Sequence, residues 1–112
     1  MIKITVLYPR AAGTWFDFDY YLEKHMPLSI ARLGSAMERI TVERVTSPGE
    51  PYPEPGFHAV CSFVCASRDK FEAAFLPHMA ELQGDAPHYT NSQQIVLLNE
   101  IEIDFAGLEA QA

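Results

Sequence analysis

No stretch of this chain is long enough to cross a bilayer. The longest apolar run lies within "FHAVCSFVCA", ten residues against the ~20 that a spanning helix needs. Positive charge is scarce as well. Eight Lys and Arg stand against fifteen Asp and Glu, a formal charge of −7, and that sign repels phosphate backbones and anionic lipid surfaces. The expectation is no nucleic acid and no membrane among the partners. The opening "MIKITVLYPR" runs straight into a strand pattern without the features of a secretory leader, so the expected address is cytoplasmic.

Several chemistry-bearing motifs are missing too. There is no glycine-rich phosphate loop, which argues against the common forms of nucleotide or flavin binding, and no nucleophile elbow. The acidic residues form no helical pair of the kind a two-carboxylate hydrolase uses. No two histidines stand four apart on a helix, and no third ligand sits at a known spacing, so no metal is expected. Cysteine is nearly absent. Cys61 and Cys65, four apart in a strand pattern, lie about 13 Å apart at roughly 3.3 Å per residue, too far to pair or to share one ion. They read as small apolar residues. No cofactor is expected, and any oxidation would have to use a substrate that itself reacts with oxygen.

What is present fits one folded domain over residues 1–112, with 48% apolar and 21% charged residues. "IKITVLY" alternates with period two and predicts a strand. "PRAAG" is turn-prone, and Thr14 with Asp17 resembles a capping box opening a helix. Phe18, Leu22 and His25 share a helical stripe, with Tyr21 beside it. Pro27 breaks or kinks that helix, "PLSIARLG" resumes it, and Gly34 is a natural stop. "AMERITVERVT" reads as a partly wet strand, the proline-dense "SPGEPYPEPG" as a rim loop, and "FHAVCSFVCA" as a strand covered on both faces. Ser67 caps a second helix in which Phe71, Phe75, Met79 and Leu82 recur, interrupted by Pro77 and ended by Gly84. "QQIVLLNEIEIDF" predicts a long last strand, and "AGLEAQA" a frayed turn.

Strand, helix, strand, strand, helix, strand is the order of the ferredoxin-like α+β fold, a four-stranded antiparallel sheet carrying both helices on one face. The opposite face needs a cover. Alternating apolar residues of the first and last strands would stay exposed in a monomer, which predicts a two-fold homodimer pressed sheet to sheet.

The segment "YYLEKHMPL", with His25, Met26 and Pro27, and the segment "GDAPHYTNSQQIVLLNEIE" together resemble the EthD family, named for an ethyl tert-butyl ether degradation protein, within the dimeric α/β-barrel superfamily. The resemblance spans nearly the whole chain. It implies a ferredoxin-like fold, paired sheets forming a barrel in a homodimer, and a pocket between sheet and helices. EthD relatives are associated with ether breakdown. Similar barrels include cofactor-free quinone-forming monooxygenases, polyketide cyclases, lactone isomerases and decarboxylases, a spread over which fold alone selects nothing.

His25 leads the candidate residues. An imidazole takes and gives protons near neutral pH, as general acid/base catalysis requires; the competing reading has His25 bonded to backbone groups freed by Pro27, holding the helix joint shut. His78, after Pro77, is expected to look into the same layer, whereas His58 and His88 read as rim residues. Tyr8, Trp15 and Phe63 would line a slot for a planar aromatic substrate, with Phe18 and Tyr21 beside them. The leading expectation is a cofactor-free enzyme for a hydrophobic, aromatic or polyketide-like molecule, with a histidine acid/base. The alternative is a noncatalytic small-molecule binder or accessory protein of a degradation pathway.

Overall fold

The computed structural model describes residues 1–107. The alternating segment forms strand β1 (Ile2–Pro9), followed in space by β2 (Arg39–Arg44), β3 (Phe57–Cys65) and β4 (Ile95–Glu100) in the order β2-β3-β1-β4, all antiparallel. Both helices pack on one face of this sheet, giving the expected ferredoxin-like α+β fold. Ile2, Ile4 and Tyr8 of β1 and Cys61, Phe63 and Cys65 of β3 point into the core. Cys61 and Cys65 are free and buried.

The first helix runs in pieces. Asp17, not Thr14, is its N-cap, accepting a hydrogen bond from the Tyr20 amide; the Thr14 hydroxyl instead donates to the Ala11 carbonyl and meets His58 Nε2. A short α-helical start, Phe18–Tyr20, widens into a π turn over Tyr21–His25 and then returns to α geometry over Met26–Leu33. Pro27 explains the widening. Its ring would collide with the Glu23 carbonyl in a regular α turn, and the Met26 amide reaches back to the Tyr21 carbonyl instead, so the helix keeps its course without breaking.

The extra residue in that turn rotates the helix face. The expected stripe through Leu22 is wrong: Leu22 is exposed, and the inward face is Tyr21, His25, Met26, Ser29 and Leu33. Gly34 does not stop the helix in a left-handed conformation; it stays right-handed at φ −57° and leads into a 3₁₀ turn, Gly34–Ala36.

The second helix starts at the Ser67 cap, which accepts from the Lys70 amide, and Pro77 divides it into Arg68–Phe75, a 3₁₀ turn Leu76–His78, and Met79–Gly84. The interruption turns Met79 outward, while Leu82 stays buried. The last strand is shorter than expected: β4 ends at Glu100, and Ile103 and Phe105 are almost fully exposed. The end of the expected frayed turn, 108–112, lies outside the described residues. The alternating pattern also fails to describe β4, because Ile95, Val96, Leu97 and Leu98 are all 41–55% exposed, on both faces of the edge.

Candidate active site

Between the sheet and the two helices lies a cavity of about 570 Å³, within the size range of small-molecule sites. Its floor is Ile4, Val6 and Tyr8 of β1 with Cys61 and Phe63 of β3. The inward face of the first helix and Phe71, Phe75 and Leu82 of the second close the sides. Gln83, Gln93 and Val96 also line it and are exposed, so the mouth opens beside β4.

His25 stands in this wall, only 6% exposed. The π turn stacks its ring on Tyr21, with centroids 5.4 Å apart and planes 16° apart, and Tyr89 leans on it at 4.5 Å. Nδ1 lies 2.9 Å from Oδ2 of Asp85, whose other oxygen accepts a 2.7 Å bond from the Tyr20 hydroxyl. Burial disfavours ionisation of Asp85, but the hydrogen bonds from Tyr20 and His25 outweigh it and hold the carboxyl below its ordinary range. A carboxylate at Nδ1 places the ring proton there and leaves Nε2 the basic lone pair. Among the described residues Nε2 makes no hydrogen bond of its own. The backbone-bonded joint is therefore not what holds His25.

Asp85 is placed by the end of the second helix. Its amide bonds the Leu82 carbonyl, and its own carbonyl accepts from His88, opening the 3₁₀ turn Ala86–His88. The chain then crosses the first helix's entry loop, where the Tyr89 carbonyl accepts from the Asp17 amide and Thr90 Oγ1 donates to the Trp15 carbonyl. These bonds fix Asp85 and Tyr89 against His25.

Three phenols surround the inner end of the cavity. Tyr8 and Tyr89 share a 2.9 Å hydroxyl–hydroxyl bond, and the Tyr21 ring packs edge-on against Tyr8. Burial pushes all three above the ordinary phenol value, most strongly at Tyr21 and Tyr89; at Tyr8 hydrogen bonding from Tyr89 and Tyr21 offsets part of the effect. Burial also raises the Cys61 thiol to about 11, Tyr21 opposing it in part, so Cys61 is a poor nucleophile at neutral pH.

The structure thus gathers His25, Tyr8, Tyr21 and Phe63 around one space and leaves out three expected members. Trp15 is 46% exposed on the entry loop. Phe18 sits outside the cavity beneath the Arg44 guanidinium, 3.9 Å from its ring centroid. His78 faces outward, its side chain 36% exposed and its Nδ1 3.9 Å from Glu81, because the 3₁₀ turn at Pro77 carries it away from the sheet. Asp85 and Tyr89 were missed in the sequence, where "DAPHYTNS" reads as a polar turn. The available signal was a lone aromatic within that polar run, and an aspartate beside a helix stop.

A family model described as EthD domain matches residues 14–93. Among solved structures, an EthD-like protein from Ralstonia eutropha JMP134 is 38% identical, with 94% of this chain and 95% of that chain covered and a TM-score of 0.83. An ethyl tert-butyl ether degradation family protein from Bacillus halodurans C-125 is 19% identical over 90% of this chain and 98% of that one, TM-score 0.62. An Arabidopsis thaliana protein shares the fold at 11% identity, TM-score 0.67, with 95% and 100% covered. No curated protein matches.

Proposed function

The chain belongs to the EthD family, and we propose that it is a small acid/base enzyme acting, without a resident cofactor, on a hydrophobic, aromatic or polyketide-like molecule. The observation that carries this is His25, held from behind by Asp85, in the wall of a largely apolar cavity. A part-buried carboxylate taken up by an imidazole and a phenol is costly to keep for packing alone, and here it orients the imidazole that borders the cavity. His25 Nε2 takes a proton from the bound molecule, the Asp85 carboxylate stabilises the imidazolium so formed, and the apolar walls keep water from competing.

The reading includes one domain over residues 1–112 and a homodimer. Leu7 is flanked across the strands by Val60 and Ile95 on the sheet face turned from the helices, and the apolar edge strand adjoins it; a facing copy would cover both. Among the described residues no helix is long and apolar enough to cross a membrane. The two free buried thiols suit a reducing compartment such as the cytoplasm. The test is to incubate the protein with phenolic and anthrone-type compounds and follow their spectra. The expected result is turnover that His25→Ala removes; turnover unchanged by that substitution overturns the reading.

A further inference from the structure

The two hydroxyls at the inner end of the cavity have a proton to spare. Tyr8 and Tyr89 carry two O–H hydrogens, and the 2.9 Å bond between their oxygens uses one. The Tyr21 hydroxyl also bears on the Tyr8 oxygen, and beyond it neither oxygen has a further partner at hydrogen-bond distance among the described residues. Both side chains line the cavity that His25 borders, and the Tyr89 ring lies against the His25 ring at 4.5 Å and the Tyr8 ring at 5.9 Å. The hydroxyl pair and the imidazole therefore border one space.

From this we infer that the Tyr8–Tyr89 pair is the docking point for a carbonyl oxygen, and that the site takes hydrophobic ketones with an acidic C–H beside the carbonyl. A largely apolar pocket whose inner end holds an unspent donor favours a ligand that places an acceptor there, because leaving that donor unpaired away from water forfeits a hydrogen bond. Hydrogen bonding from Tyr89 and Tyr21 favours the acceptor role for the Tyr8 oxygen, which leaves the Tyr8 proton free, its bond strengthened by the donor behind it. Resting on the acid/base reading of His25, the chemistry is an enolisation. Nε2 takes the proton, the C–H electron pair becomes the C=C of an enolate, and the negative charge arrives on the oxygen held by Tyr8. Return of the proton to another carbon completes an isomerisation; return to the same carbon restores the ketone.

Binding and exchange separate the two ideas. 2-Acetylnaphthalene and 2-isopropenylnaphthalene have the same shape and differ in the oxygen. The expected result is tighter binding of the ketone by tenfold or more, a preference kept in His25→Ala and reduced to less than twofold in the Tyr8→Phe/Tyr89→Phe variant, with the single variants reported beside it and thermal melts confirming their folds. No preference in the native protein, or one that survives loss of both hydroxyls, overturns the inference. Exchange of the α-hydrogens of 2-tetralone in D₂O, followed by proton NMR, then reads the base: Tyr8→Phe should lower kcat/KM for exchange at least tenfold. Exchange lost in His25→Ala but unaffected by Tyr8→Phe overturns the hydroxyl pair and leaves the histidine reading standing.

Discussion

Asp85 Oδ2 lies 2.9 Å from His25 Nδ1 across sixty residues of sequence, and that contact decides which ring nitrogen is basic. Replacing Asp85 with Asn keeps the size but offers an amide that can donate to Nδ1, moving the ring proton to Nε2. Activity should fall about 100-fold or more, the usual contribution of a positioned base. Nitrogen-15 NMR of His25 checks the cause directly: Nδ1–H in the native protein, Nε2–H in Asp85→Asn. The same Nε2–H form in both proteins would remove Asp85 from the mechanism.

The depressed Asp85 carboxyl also makes a stability prediction. A folded pKa below the unfolded one means the unfolded chain binds more protons in between, so stability rises with pH there. The advantage of the native protein over Asp85→Asn should be complete above about pH 4, the ordinary aspartate value, and shrink as pH falls through the folded pKa. Urea titrations of both proteins from pH 7 to pH 2.5 measure it. An advantage that stays constant over that range would show that the Asp85 carboxylate does not stabilise the fold.

The alkaline side should be governed by Tyr8, Tyr21 and Tyr89, whose phenols are all raised by burial. Here the folded chain holds protons that the unfolded chain releases, so their contribution is full below about pH 10 and declines above it by roughly 1.4 kcal/mol per pH unit for each phenol. Three together overwhelm a typical domain stability within a few units. Three of the five tyrosines should show phenolate absorbance only as circular dichroism is lost. Smooth ionisation of all five in the folded protein would contradict their burial.

The strand order was legible because period-two alternation and turn-forming prolines are local signals. "IKITVLY" and "SPGEPYPEPG" needed no knowledge of what they touch. Pro27 was a weaker guide. Proline announces that an α turn cannot continue, but whether the helix breaks, kinks or widens depends on the sheet holding both halves, and the widened turn is what moved Leu22 out and brought Tyr21, His25 and Met26 in. Trp15, Phe18 and His78 went wrong for a related reason: an aromatic or imidazole ring says nothing of which way its element is turned. Asp85 and Tyr89 reach the site through a crossing segment whose register is set by distant hydrogen bonds to Pro9, Trp15 and Asp17, and no local pattern encodes that.

The exposed edge makes the final prediction. Ile95 to Leu98 form an unpaired strand edge, apolar on both faces, a feature that monomers blunt with charge. If a second copy covers it, light scattering at micromolar concentration gives twice the chain mass, and Leu97→Lys, which puts a charge on the face turned from the helices, shifts it toward the single-chain mass. Leu97 is 41% exposed and outside the buried core of the single chain, so the variant should unfold with a native-like denaturant slope per chain. Val96→Lys separates assembly from the site, since Val96 borders the cavity mouth: it should weaken binding of 2-acetylnaphthalene. A native protein already monomeric under these conditions would show that the edge is tolerated uncovered.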